Sequence, residues 1–228
     1  MKILRHPFLM AGLAIGGLLT ACACRVHNQP IDPRTFDRPV RVACVGDSLT
    51  AGRESWPAHL DAHLGDRWEI RNFGLGESTV LQVGDTPYLT LKLPEVLAYQ
   101  PDAVVVLLGT NDSKPRHWYY WKDFVKDYRR LLRELEALPS RPRIWVCLPP
   151  PAFPGQWGIH EERLQEMRPL IRRVARRHGV PVIDLQAPFA DRPERFPDQI
   201  HPDPEASREI ADIIRQAVVG PSAGDGGT

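Results

Sequence analysis

The sequence predicts an α/β fold, a three-layer α/β/α domain with about five parallel strands and helices on both faces of the sheet. Three observations predict it. Short apolar runs alternate with segments of helical period, the runs are nearly continuous in apolar residues, and 228 residues with 43% hydrophobic content suit one core but are short for two. Such alternation is typical of a parallel sheet joined by right-handed crossovers.

Five apolar runs are the predicted strands. Their lack of polar alternation is expected of strands that helices cover on both faces. The runs are Val40–Val45, Trp68–Phe73, Ala103–Leu108, Arg143–Leu148 and Val180–Leu185.

Three helices are predicted from apolar residues that recur at steps of three and four. The segment from His117 to Leu138 has such a stripe at Phe124, Tyr128, Leu131, Leu135 and Leu138. A second helix has it at Leu164, Met167, Ile171 and Val174. The last helix starts near Pro204, with a core face at Ile210, Ile213, Ile214 and Val218.

The N-terminus predicts export. Basic residues precede an apolar run, Phe8–Ala21, that is short for a membrane span and suits a signal peptide. The run ends in Leu-Thr-Ala-Cys, which resembles a bacterial lipobox and implies cleavage before Cys22 and lipidation of that cysteine. Ala23 follows, which implies sorting to the outer membrane. The alternative is an ordinary secretory signal with a chance cysteine.

The predicted organisation is a signal peptide (1–21), a lipidated tether (22–39), a domain (40–219) and a Gly- and Ser-rich tail (220–228). Cys24 falls in the tether. Cys44 and Cys147 fall in predicted strands, where we expect buried free thiols rather than a disulfide. We therefore expect a lipid-anchored protein of the cell envelope.

Several function classes find no support. A formal net charge of +1 does not indicate nucleic acid as a partner. No phosphate-binding glycine motif, no G-x-S-x-G elbow and no metal-ligand spacing of His and Cys occurs, so we expect neither cofactor nor metal. One basic cluster indicates a solvent-exposed helix face more than a contact with anionic lipid. It consists of Arg172, Arg173, Arg176 and Arg177.

Polar clusters follow four of the predicted strands. They are Ser48, the stretch 72–79, the stretch 109–112 and the stretch 198–201. Because the carboxyl ends of parallel strands meet at one edge of a sheet, we expect these clusters to meet there. Taken alone, Ser48 would be an N-cap of the following helix.

These clusters resemble the sequence blocks of the GDSL or SGNH hydrolase family. The blocks are "GDSL" at 46–49, "NFGLGEST" at 72–79, "GTND" at 109–112 and "DQIHP" at 198–202. The resemblance covers Val40 to about Val219 and implies a serine esterase that forms an acyl-enzyme. It implies that Ser48 is the nucleophile, that His201 is the general base and acid, and that Asp198 orients the histidine.

The resemblance also implies an oxyanion hole. Its donors would be the Ser48 backbone N–H, a glycine N–H of the second block and the Asn111 side-chain amide. Family members often read Asn-x-Gly-x-x-Gly, and an ungapped overlay puts Glu77 at the last glycine, with Gly76 one position early. We expect Gly76 to be the donor and keep Glu77 as the alternative.

Two other candidates are set aside. His160 is the competing base, but it lies at a helix start with no carboxylate partner in the family pattern. Asp112 is expected to hold its turn rather than to catalyse.

A longer stretch around the third block is similar to secreted carbohydrate O-acetylesterases, which implies an acetyl ester of a carbohydrate as substrate. The alternatives are a lysophospholipase or lipase-type esterase, and a non-catalytic lipoprotein that binds envelope glycan. The loop Pro149–Ile159 is expected to overhang the site, where Trp157 would stack on a sugar or wall off an acyl chain.

Overall fold

The computed structural model describes residues 30–153 and 157–220. Five strands form one sheet: β1 (Val40–Gly46), β2 (Trp68–Gly74), β3 (Ala103–Leu107), β4 (Arg143–Leu148) and β5 (Val182–Asp184). The helices are α1 (Ser48–Ala51), α2 (Trp56–Leu64), α3 (Tyr88–Leu91), α4 (Leu93–Tyr99), α5 (Pro115–Trp118), α6 (Trp121–Glu136), α7 (Glu161–His178) and α8 (Pro204–Val219).

All the strands of this sheet are parallel, in the order β2-β1-β3-β4-β5. The chain therefore starts in the interior of the sheet and moves outward in both directions. Right-handed crossovers in opposite directions put their helices on opposite faces, and accordingly α2 packs with α8 while α6 packs with α7. The predicted three-layer α/β/α fold is confirmed.

The sheet is most deeply buried at its centre. Every residue of β3 is buried, whereas β2 at the edge exposes Glu69, Arg71 and Asn72. The expectation that all strands are covered on both faces is therefore wrong for β2. β5 is shorter than predicted, because the Val180 N–H donates to the Ala175 carbonyl at the end of α7 and not to the sheet.

The predicted helical stripes are buried, but one helix starts later than predicted. The segment from 117 is divided into α5 and α6, because Tyr120 leaves the helical region (φ −99°, ψ 27°) and serves as the N-cap of α6. In α8 the predicted core face is buried except at Ile213, which is half-buried.

Part of the predicted tether packs against the domain. Ile31 is buried and its N–H donates to the Val218 carbonyl at 2.7 Å. Arg38 makes two hydrogen bonds to the Asp102 carboxylate, at 2.6 and 2.9 Å. Ile31 and Arg38, both in the predicted tether, therefore contact the domain.

The signal peptide, Cys22, Cys24 and residues 221–228 lie outside the described residues, so lipidation and export stay predictions. Among the residues that the structure does describe, no helix combines the length and apolar character needed to cross a membrane.

The two strand cysteines are free and buried, as predicted. Burial raises the pKa of the Cys44 thiol and of the Cys147 thiol, which keeps both in the neutral, unreactive form.

Two glycines allow β1, α1 and β2 to approach closely. A Cβ at Gly46 would lie 1.9 Å from Thr50 Oγ1, and a Cβ at Gly74 would lie 2.3 Å from the Ala51 backbone nitrogen. Gly46 is therefore needed for space beside α1.

We predict that Gly74→Ala lowers the free energy of unfolding by about 2 kcal/mol, because the new methyl group must displace the backbone of α1. The matched control is Gly76→Ala, where a Cβ meets nothing within 4 Å. Urea denaturation of both variants checks this, and equal stabilities would contradict the assigned contact.

Candidate active site

Ser48 is the first residue of α1, directly after β1. The helix is capped by Asp47, whose side chain accepts the Leu49 N–H at 3.0 Å. Ser48 is therefore not the N-cap, and its hydroxyl is available for another role. Its Oγ lies 2.9 Å from Nε2 of His201, which is 153 residues further along the chain.

His201 is held in one tautomer by Asp198. Its Nδ1 lies 2.6 Å from Asp198 Oδ2, and because a carboxylate only accepts, Nδ1 carries the proton. Nε2 is left as the acceptor that faces the Ser48 hydroxyl. The three side chains form a hydrogen-bonded chain in which a proton can pass from Ser48 to His201.

The Asp198 carboxylate is stabilised in its ionised form. Burial by itself raises its pKa, but the His201 ring and the backbone N–H groups of His201 and Ile200 outweigh this and lower the pKa below the usual range. Both N–H groups donate to Oδ1, at 2.7 and 3.1 Å. Asp198 therefore remains negative opposite the imidazole.

The Asp198–His201 loop is tied to the loop after β4. Gln199 has a φ of 71°, and its carbonyl accepts the Phe153 N–H at 2.9 Å. Phe153 also packs on Phe196, with ring centroids 5.4 Å apart. The position of His201 thus depends on the loop that follows β4.

That loop is held by a buried arginine that sequence reasoning missed. Arg168 on α7 donates to the carbonyls of Pro149 and Pro150, at 3.0 and 2.9 Å, and pairs with Glu161 at 2.6 Å. Glu161 in turn accepts the Ala152 N–H at 2.9 Å. A buried arginine without these acceptors would be costly, so the set fixes the loop beside His201.

The second block is joined to α1 by Asn72. Its Nδ2 donates to the Thr50 carbonyl at 2.7 Å, and its Oδ1 accepts the Gly74 N–H at 2.8 Å. The Leu75 N–H donates to the Gly46 carbonyl at 2.9 Å. The turn at 75–78 is therefore placed directly beside Ser48.

The third block holds the same turn from the other side. Asn111 Nδ2 donates one hydrogen to the Ser78 carbonyl at 3.1 Å. The Asp112 carboxylate accepts the N–H groups of Val80 and Leu81, at 3.0 and 2.8 Å. Asp112 thus has a structural role, as predicted, but the backbone that it holds is that of Val80 and Leu81 and not its own turn.

Two acidic residues next to the site, Asp47 and Asp112, are fully buried. Burial raises the pKa of Asp47 to about 6, against the opposing effect of the Leu49 N–H. Burial raises the pKa of Asp112 to about 7; the Leu81 and Val80 N–H groups oppose this, and the charge of Asp47 adds to it. These groups were recognisable as polar, but their burial was not apparent from the sequence.

The Gly76–Glu77 turn has an unusual backbone. Glu77 has a φ of 60°, in the left-handed region that favours glycine, whereas Gly76 has no positive φ. The ungapped overlay places the family's glycine at Glu77, and this backbone gives a physical reason for a glycine there. The geometry therefore favours Glu77 over Gly76 as the equivalent position.

A cavity of about 290 Å³ lies beside Ser48, bounded by residues of the four sequence blocks and of the loop after β4. It is lined by Ser48, Gly76, Glu77, Asn111, Lys114, Trp157, Ile159 and His201. A second recess of about 300 Å³ lies on the other side of Ser48 and His201, against α1 and the start of α8. Ser48 and His201 thus line both recesses.

The structure brings together all the predicted site residues: Ser48, Gly76, Glu77, Asn111, Asp198 and His201. His160 is separate, since it precedes α7 and lines a different recess with Glu162 and Asp191. The four arginines of the basic cluster are exposed on α7, as predicted. Lys114 reaches the cavity although no motif indicated it.

The fold and this site define the class: a three-layer α/β/α hydrolase of the SGNH type, with its polar residues at the carboxyl edge of the sheet. The chain belongs to the GDSL-like lipase/acylhydrolase family, whose model matches residues 44–208.

Known relatives agree with this membership. Over 213 residues the chain is 33% identical to an acetylxylan esterase from Xylanibacter ruminicola, a match covering 82% of this chain and 44% of that protein. The chain therefore spans less than half the length of this relative.

Solved structures show the same fold. A protein from Agrobacterium tumefaciens, assigned provisionally as an arylesterase, is 26% identical with a TM-score of 0.64, over 78% of this chain and 99% of that one. A carbohydrate acetylesterase from Sinorhizobium meliloti is 23% identical with a TM-score of 0.61, over 77% and 98%.

We predict that Glu77→Gly is more stable than Glu77→Ala by about 1 kcal/mol, because alanine keeps the left-handed strain and glycine does not. The control is Arg129, an exposed residue inside α6, where the alanine variant should be more stable than the glycine variant by about 1 kcal/mol. Thermal or urea denaturation measures both pairs. The same order at both positions would contradict the assigned backbone.

Proposed function

We propose that the protein is a serine esterase that hydrolyses carboxylic esters through an acyl-enzyme intermediate, with an acetyl ester of a carbohydrate as its substrate. The observation that carries the proposal is the chain from Asp198 to His201 to Ser48, with contacts of 2.6 and 2.9 Å. A surface serine without a base is a poor nucleophile, and this one has both a base and an orienting carboxylate.

The reaction has two halves. Ser48 Oγ attacks the ester carbonyl carbon as its proton passes to His201 Nε2, and the tetrahedral intermediate collapses when His201 protonates the leaving alcohol. In the second half His201 takes a proton from water, whose oxygen attacks the acyl carbon. The second tetrahedral intermediate collapses as His201 returns that proton to Ser48 Oγ, which releases the carboxylic acid and restores the Ser48 hydroxyl. Asp198 stabilises the imidazolium formed in each half.

The oxyanion would be bound on the cavity side of Ser48. Asn111 gives one Nδ2 hydrogen to the Ser78 carbonyl and lines the cavity, so its second hydrogen is available for the oxyanion. The Ser48 N–H is a second donor. We propose Glu77 N–H as the third, with Gly76 N–H as the alternative, since the left-handed backbone at Glu77 matches the family's glycine.

Several features support a short acyl group. The cavity of about 290 Å³ is slightly smaller than the usual range for small-molecule sites, about 300 to 1,000 Å³. Ile159 and Trp157 line it, and Lys114 and Glu77 supply polar groups that suit sugar hydroxyls. The relative from X. ruminicola is described as an acetylxylan esterase.

We predict that Ser48→Ala lowers kcat for p-nitrophenyl acetate by roughly 10⁶-fold, because the nucleophile is removed. His201→Ala should have a comparable effect. The matched control is His160→Ala, which removes an exposed imidazole outside the cavity and should leave kcat unchanged. Steady-state kinetics with circular dichroism of each variant provides the measurement.

The choice of acyl chain is tested in the same assay. Higher kcat/KM for acetyl than for octanoyl esters, together with acetate release from acetylated xylan, is the expected result. Preference for long-chain or lysophospholipid esters would replace the carbohydrate substrate with a lipid. Wild-type protein without turnover on any ester would favour a non-catalytic binding role.

A further inference from the structure

Four exposed aromatic residues lie on the segments after β3 and β4, the same segments that supply Lys114 and Trp157 to the Ser48 cavity, and we define them as the aromatic platform: Tyr119, Tyr120, Trp121 and Trp157. Their exposed fractions are 82%, 41%, 42% and 64%. Within residues 30–153 and 157–220, every other Phe, Trp and Tyr is buried or half-buried. Clustering of exposed apolar side chains on one part of a surface indicates a binding site.

The platform is carried by the two loops that follow β3 and β4. These strands are adjacent and parallel, so the loops meet at the same edge of the sheet as Ser48. Trp157 and Lys114 line the cavity itself. The carbonyl of Lys114 accepts the His117 and Trp118 N–H groups, so a single helical turn separates the cavity from Tyr119.

Buried contacts hold the turn of α5 that precedes Tyr119 and Tyr120. Trp118 Nε1 donates to Glu166 Oε2 on α7 at 2.7 Å, and His117 Nδ1 donates to the Asn111 carbonyl at 2.8 Å. The rings of Tyr119 and Tyr120 meet edge to face at 5.1 Å. A fixed arrangement of rings lowers the entropic cost of binding a ligand.

We infer that the aromatic platform binds the polysaccharide chain whose acetyl ester lies at Ser48, an inference that rests on the proposed function. A pyranose ring has an apolar C–H face that packs on an aromatic ring, and hydroxyl groups at its edge. Tyr and Trp provide the matching combination of an apolar body and a polar tip. One acetylated sugar would occupy the cavity, and its neighbours in the chain would lie on the platform.

The surroundings of the platform suit a sugar chain better than a bilayer. Tyr and Trp also occur at membrane interfaces, where a basic face accompanies a continuous apolar face. Charges of both signs occur here: Lys122 Nζ lies 5.7 Å from the Trp121 ring centroid, and Arg116, three residues before Tyr119, pairs with Asp85. This mixed polar border suits a ligand rich in hydroxyl groups.

The test compares a polymer with a small ester. Acetate release from acetylated xylan and turnover of p-nitrophenyl acetate are measured for the double variant Tyr119→Ala/Trp121→Ala. We expect KM for the polymer to rise by about tenfold or more, with kcat/KM for the small ester unchanged. Tyr119→Phe/Trp121→Phe, which retains the rings, and Leu91→Ala, an exposed apolar residue of α3, are the controls and should keep the wild-type KM.

Binding is measured separately by affinity electrophoresis of the Ser48→Ala protein in gels containing deacetylated xylan. Xylan should retard the Ser48→Ala protein, and the additional changes Tyr119→Ala/Trp121→Ala should abolish this retardation. That result supports binding by the platform, whether or not the protein hydrolyses esters. If the double variant releases acetate from the polymer with the wild-type KM, the proposal that the platform binds polysaccharide is wrong, while the esterase proposal stands. Platform-dependent binding to phosphatidylglycerol vesicles without retardation by xylan would replace the polysaccharide with a lipid surface.

Discussion

The convergence of parallel strand ends on one edge of the sheet is the constraint on which the site depends. Ser48 and His201 are 153 residues apart in the chain, yet their side chains meet at 2.9 Å because β1 and β5 both end at this edge. The strand order places β1 and β3 side by side, so Asn111 also reaches the cavity. No single segment of the chain contains the site, and its precision depends on how firmly each loop is attached to the sheet.

Buried charged groups provide that attachment, at a cost in solvation. Asp112 fixes the backbone of Val80 and Leu81, just after the turn that carries Glu77, and Arg168 fixes the loop that contacts the Asp198–His201 segment. Each buried group is stabilised by backbone N–H or carbonyl groups in place of water. Burial raises the pKa of Asp47 to about 6 and that of Asp112 to about 7, because it removes water from around each carboxylate. The hydrogen bonds therefore position the loops more than they add to the stability of the fold.

Much of this arrangement was predictable from the sequence because it depends on local pattern. Apolar runs identified all five strands, and the motif blocks identified the residues that meet at Ser48. What the sequence did not reveal depends on contacts between distant residues: the exposed edge of β2, the packing of Ile31 on Val218, and the set around Arg168. The left-handed backbone of Glu77 was also hidden, because a glutamate has no preference for that conformation and only the surrounding bonds impose it.

The central claim, that Ser48 is activated by His201 and Asp198, is tested most directly by covalent labelling. The folded protein is treated with a fluorophosphonate, and the adduct is located by peptide mass spectrometry. The account predicts a single adduct on Ser48, formed rapidly in the wild type and far more slowly in His201→Ala, because only an activated serine displaces fluoride from phosphorus at a useful rate. A folded wild-type protein that takes up no label, or that takes it up at a residue other than Ser48, would contradict the account.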